Sequence, residues 1–316
     1  MLAGCAAGAA VAFCFAYKFA VRTMMSGAID RKEPKLMSKT KVSGSAAKPK
    51  DAEVLKLAAE KRAALESTEH ETVEIESYDG LKLVGHLFRA EPQTRVVVAM
   101  HGWRSVWSND FCTIMDFWRE NGCTVLIPEQ RGQGGSDGEY MGFGLTERYD
   151  CLSWVRWLNE NGMSDLPVYL VGISMGATTV LMTSGLPDIP QNVKGIIADC
   201  GFTSPEEIWR HVAHNTFKVP YGMVEKEVNA ICRKCLGADA DSYSTLDAME
   251  VNTIPVLFIH GSSDTFVPMK MTLQNYNACK APKKLLIVGG AEHGMSYMVD
   301  REKYEGIVLE FFSEND

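Results

Sequence analysis

The stretch Val168-Tyr169-Leu170-Val171-Gly172-Ile173-Ser174-Met175-Gly176 decides the fold. Its four leading apolar residues read as a strand buried on both faces, and Met175–Ser184 reads as a helix. A strand that turns at once into a helix forces the residue between them into a tight elbow. Glycine on each side allows the backbones to approach there. Ser174 then projects its hydroxyl above the sheet edge, at a helix N-terminus that favours developing negative charge. Gly-x-Ser-x-Gly alone is a weak signal. The strand before it and the helix after it give it weight.

Working outward, the same strand-then-helix rhythm recurs. Apolar runs at Val96–Met100, Thr124–Ile127, Gly195–Ala198, Val256–Ile259 and Lys284–Val288 predict further strands. Helical patterns lie at Asp110–Glu120, Thr146–Asn159, Met269–Cys279 and Glu302–Phe312. Alternation of this kind predicts a doubly wound, mostly parallel α/β sheet. Ahead of it, Glu71 to Ser77 and Leu81 to Phe88 alternate around a Tyr78-Asp79-Gly80 turn, an antiparallel hairpin. Between Ala198 and Val256 the rhythm stops. Only helical patterns at Pro205–Ala213 and Met223–Leu236 fill that interval, which predicts a small helical cap at about residues 203–250 over the sheet's ligand-binding edge.

A serine hydroxyl is a poor nucleophile near neutral pH and needs a base. His293 sits in Gly289-Gly290-Ala291-Glu292-His293-Gly294, just past the last strand and at the same edge as Ser174. The base needs an orienting acid. Asp264, in Ile259-His260-Gly261-Ser262-Ser263-Asp264, follows the preceding strand; Asp199 also follows a strand and is the alternative. The oxyanion of acyl transfer needs two backbone donors. The Met175 amide is one candidate and the Trp103 amide, in Met100-His101-Gly102-Trp103, the other, with His101 read as a structural support of that loop. Trp103, Trp107, Phe202, Trp209, Phe217 and Phe266 are candidate walls of an acyl pocket, of which Trp107, Phe202, Trp209 and Phe266 are taken as substrate-binding.

Five pieces stand in order: HGW at 101–103, RGQGGSDG at 131–138, GISMG at 172–176, HGSSD at 260–264 and EHG at 292–294. Together they resemble the α/β-hydrolase superfamily, and within it the bacterial branch of cinnamoyl (feruloyl) esterases and serine-aminopeptidase-like hydrolases. The resemblance covers about residues 70–316. It implies the α/β-hydrolase fold, a catalytic set Ser174, Asp264 and His293 in that chain order, and a site shaped in part by the loop Arg131 to Gly138. The chain departs at Glu129, where the family often has Asp. The implied activity is hydrolysis of carboxylic esters through an acyl-enzyme. A peptidase with the same residues, a lipase and a silent binding module are the alternatives. A peptidase would hold a substrate amine on Glu206, Glu207, Glu225 or Glu227. No metal or organic cofactor is implied, and the partner is a small-molecule ester. Nothing in the pattern specifies an oligomeric state.

Charge is unevenly spread. Residues 1–50 hold nine Lys or Arg against two acids, a net +7, so the rest carries −15 of the chain's −8. An acidic body argues against a nucleic-acid partner. Residues 2–17 carry no charge, and basic residues follow from Lys18 onward. The run is expected to be a membrane-anchoring helix over residues 1–26, with the catalytic domain on the cytoplasmic side; a cleaved leader is the alternative. Residues 27–50 read as a basic, solvated linker, and Asp51 to Ser67 as an amphipathic helix with Val54, Leu55, Leu57, Ala58 and Leu65 on one side. The nine cysteines have no regular spacing and are read as reduced thiols, including the Cys232/Cys235 pair.

Overall fold

The computed structural model describes residues 2–33 and 52–316, with side chains from Phe15 onward. The basic linker therefore lies largely outside the described residues. Eight strands form one sheet: β1 (Glu71–Glu76), β2 (Lys82–Phe88), β3 (Arg95–Met100), β4 (Cys123–Pro128), β5 (Val168–Ile173), β6 (Val193–Asp199), β7 (Val256–Gly261) and β8 (Lys283–Val288). Their order is β1-β2-β4-β3-β5-β6-β7-β8. The hairpin β1–β2 is antiparallel and joins β4 antiparallel; every later pairing is parallel. This is the α/β fold the periodicity predicts.

The helices are α1 (Leu2–Ile29), α2 (Ala52–Ser67), α3 (Trp107–Asp110), α4 (Met115–Glu120), α5 (Glu147–Leu158), α6 (Met175–Ser184), α7 (Pro205–Asn215), α8 (Glu225–Leu236), α9 (Thr245–Val251), α10 (Met269–Ala278), α11 (Ser296–Val299) and α12 (Arg301–Asn315). Strand side chains alternate between two cores because successive Cβ atoms point to opposite faces. Val96, Val98, Leu170 and Ile196 pack with α5, α6 and α9 on one face. Val97, Ala99, Tyr169 and Ile197 pack with α4 and α12 on the other. The single helix expected over Asp110–Glu120 is instead two short helices, α3 and α4, separated by a hydrogen-bonded turn. Asp110, the last residue of α3, accepts from the Gly102 amide through its carboxylate.

The excursion after β6 contains the two expected cap helices. Ser204 caps α7 by accepting from the Glu207 amide, with Pro205 at the first helical position. Gly237, at φ 76°, ends α8 in the left-handed conformation that glycine takes freely. α9 turns back to pack on α6 and α10, so α7 and α8 are the part of the excursion corresponding to the expected cap.

The side chains of residues 2–14, most of the apolar run expected to be an anchor, lie outside the described residues. Among the described residues no helix is long and apolar enough to cross a membrane. The C-terminal part of α1 is instead folded onto the body: Val21, Met25 and Ile29 are buried in a third core with Phe202, Trp209 and Val228 of the cap region. A helix stripe already covered by protein is not available to lipid. Trp103 Nε1 donates to Ala28 O at 2.7 Å, and the Arg104 guanidinium donates to the carbonyls of Gly27 and Asp30. Arg31 in turn donates to the carbonyls of Gly134 and Ser136. The loop at 131–138 thus meets the residues just past the end of α1. Of the expected apolar side of α2, Leu65 is buried, whereas Leu57 points to solvent.

Candidate active site

Ser174 lies at the elbow between β5 and α6 with φ 56° and ψ −117°, a backbone that L residues seldom adopt. The glycines on each side are needed for space. A Cβ on Gly172 would fall 2.2 Å from Gly176 O, and one on Gly176 would fall 1.8 Å from Met100 O. The Ser174 amide is tied to Asp199 O at 2.9 Å.

His293 Nε2 stands 2.8 Å from Ser174 Oγ, and His293 Nδ1 stands 2.6 Å from Asp264 Oδ2. All three residues are buried to more than nine-tenths, with exposures of 6, 8 and 8% for Ser174, Asp264 and His293. Burial pushes the Asp264 carboxyl up, but hydrogen bonds from His260 and His293 outweigh it and hold the group well below the usual carboxylate range. An ionised Asp264 can only accept. The proton therefore sits on His293 Nδ1, leaving Nε2 to accept from the Ser174 hydroxyl. The other oxygen, Asp264 Oδ1, accepts from the amides of Phe266 and Val267, both at 2.9 Å.

Asp199 is not brought to His293. It accepts from Ser296 Oγ at 3.0 Å, and burial raises its carboxyl from 3.8 to about 6. The folded chain thus keeps a proton on Asp199 that the unfolded chain gives up between pH 3.8 and about 6, so stability falls as pH rises through that window. The interval corresponds to about 3 kcal/mol. Asp199→Asn is expected to gain stability over the wild type by about that amount between pH 4 and pH 7.5. Denaturant unfolding at the two pH values measures it; a difference independent of pH would refute the assignment.

Among the described residues neither the Trp103 amide nor the Met175 amide meets a hydrogen-bond acceptor. The loop that carries Trp103 is held from several directions. Asp110 accepts from the Gly102 amide at 2.7 Å and from Ser105 Oγ and Asn109. His101 Nδ1 donates to Gly102 O, and its Nε2 accepts from the Gln130 amide. Burial lowers the His101 pKa, which keeps its ring neutral and able to do both. Asp110 and His260 are supports that the sequence reading leaves unassigned. His260 had a signal, since it stands four residues before Asp264; Asp110 had none.

Two clefts meet at Ser174, divided by Trp103 and Phe266, which line both. The first runs between the cap and α1, past Phe202 and Trp209. The second holds His293, Asn109 and Asp110, with Val54, Leu55 and Ala58 of α2 on its far wall. Trp107 is the exception among the predicted pocket residues. It lines neither cleft and stacks on His86 at 4.0 Å, because α3 directs it back toward β2. Glu129 accepts from His86 and from the Gly135 amide, also away from Ser174. Cys200, Asp264 and His293 bring ligand-type atoms within 4.8 Å of one another. Burial pushes the Cys200 thiol well up, and the other two already bond each other, so the group is a poor metal site. The described cysteines, Cys232 and Cys235 included, are free thiols.

Comparison with known proteins agrees with the topology. A family model described as alpha/beta hydrolase fold matches residues 95–233. An uncharacterised protein of Bacillus subtilis, YqkD, is 27% identical over 248 residues, covering 78% of this chain and 81% of that protein. The Pyrococcus furiosus esterase Pf2001 superposes with a TM-score of 0.65 at 23% identity, over 79% of this chain and 92% of that one. Est1E of Butyrivibrio proteoclasticus, solved with ferulic acid bound, superposes at 0.57 and 19% identity, over 77 and 98%.

Proposed function

We propose that this chain, which has the α/β-hydrolase fold, is a serine hydrolase that cleaves carboxylic esters, with Ser174 as nucleophile, His293 as base and Asp264 as the orienting acid. The observation that carries the reading is the unbroken chain of hydrogen bonds from Asp264 through His293 to Ser174.

In the first half-reaction His293 Nε2 takes the Ser174 proton while Oγ bonds to the ester carbonyl carbon. The carbonyl oxygen gains negative charge and is met by the Trp103 and Met175 amides, the latter at the N-terminus of α6. As the tetrahedral intermediate collapses, the carbon–alkoxy bond breaks and His293 gives its proton to the leaving oxygen. Water then repeats the sequence on the acyl-enzyme and frees the acid. Ionised Asp264 steadies the imidazolium in both halves.

The peptidase alternative finds less support. None of Glu206, Glu207, Glu225 and Glu227 lines either cleft. Glu206 and Glu207 pair with Arg210 on their own helix, and Glu227 meets Lys18.

The test is reaction of the full chain with a fluorophosphonate, followed by peptide mass mapping. An adduct on Ser174, lost when the protein is unfolded first, is the expected result. A folded chain that takes up no label overturns the proposal.

A further inference from the structure

Resting on that reading, we infer that the substrate is an ester of an extended aliphatic acid with a polar alcohol, and that the N-terminal helix α1 is one wall of the acyl site. The argument starts from the proton. The leaving oxygen must receive it from His293 Nε2, so the alcohol portion lies on the His293 side of Ser174. Only the second of the two clefts contains His293. The acyl portion is thereby assigned to the first.

The chemistry of the two clefts matches that division. The alcohol-side cleft carries Ser105, Asn109 and Asp110 along one wall. The acyl-side cleft is a narrow slot whose lining is almost wholly apolar. It is partly open to solvent. Ser174 is the one lining residue there with a hydroxyl, and the Trp209 indole N–H is buried without a hydrogen-bonding partner. A charged or strongly polar group carried into this slot would leave water for a lining that has no charged side chain to pair with it, which costs affinity. Successive methylenes, by contrast, each leave water for apolar contact and each strengthen binding. The slot therefore takes an aliphatic chain in preference to a hydroxycinnamoyl group.

The slot has two long sides. One is cap helix α7, through Ile208 and Val212; the other is α1, through Met24, Met25 and Ala28. α1 is fixed to the loop of the Trp103 amide by the bond from Trp103 Nε1 to Ala28 O. A residue of α1 thus sets how much chain fits beside the reacting carbon.

The experiment compares kcat/KM for p-nitrophenyl acetate, butyrate, octanoate and methyl ferulate, in the full-length wild type, Ala28→Phe and Met24→Ala. In the wild type, octanoate is expected to exceed both acetate and methyl ferulate by at least about tenfold. Ala28→Phe, which fills the slot, is expected to lower the octanoate-to-acetate ratio by about tenfold or more. Met24→Ala, which widens it, is expected to change the octanoate-to-butyrate ratio in the direction opposite to Ala28→Phe. Fluorophosphonate labelling of each variant is run beside the kinetics. Ser174 labelled in wild type with octanoate no better than acetate, or a ratio that neither variant moves, overturns this inference alone. A wild type that takes no label overturns the hydrolase reading on which it rests.

Discussion

With Ser174 replaced by alanine, hydrolysis of an activated ester falls by on the order of 10^5- to 10^6-fold, the scale seen where a triad nucleophile is removed. What remains is turnover by water in a site that still holds the acyl group and still presents the Trp103 and Met175 amides. The loss is chemical and not structural. Alanine occupies the same positive-φ elbow with the same strain as serine, and Ser174 Oγ is bonded only to His293. Near-ultraviolet circular dichroism and the denaturation midpoint should therefore stay close to those of the wild type. A folded Ser174→Ala protein retaining a tenth of the activity would move the chemistry to another residue.

Asp264→Asn is expected to cost about 10^4-fold in kcat while leaving the shape of the site intact. The direction follows from the two ends of the carboxylate. Oδ1 accepts from two backbone amides, Phe266 and Val267, so an asparagine must set its carbonyl oxygen there. Its NH2 then points at His293 Nδ1, where Asp264 now accepts. Nδ1 becomes an acceptor, the proton moves to Nε2, and the imidazole faces Ser174 with a donor where a base is required. The Asp199→Asn protein serves as the comparison. Asp199 bonds Ser296 and not His293, so its exchange should leave kcat within about tenfold. Steady-state kinetics on both variants decides between the two acids; equal losses would refute the role given to Asp264.

The positions of Ser174, Asp264 and His293 at strand ends were legible because each follows an uninterrupted apolar run with glycine nearby, and a parallel sheet brings all its strand C-termini to one edge. Asp264 and Asp199 were not separable in the sequence, because both leave neighbouring strands. Their distinction depends on side-chain direction, which the loop after β7 sets through the Phe266 and Val267 amides. Trp107 was misjudged for a similar reason: composition gives its apolarity but not which way a one-turn helix aims it. The docking of the C-terminal part of α1 was not read from the sequence. Val21, Met25 and Ile29 recur at four-residue spacing, a stripe that marks a helix docked on protein. The uncharged run before Lys18 masks that stripe, since apolar residues on every side read equally as a span.

The junction of α1 with Trp103 and Arg104 bears on how this protein is prepared. Residues 1–51 invite removal from an expression plasmid as a leader and tail. A form begun at residue 52 would lack the acceptor of the Trp103 indole and the residue 24–28 wall, leaving Phe202 and Trp209 open to water. Such a truncated enzyme would bind short and long acyl chains with little distinction, and a substrate screen run on it would report the selectivity of the trimmed form.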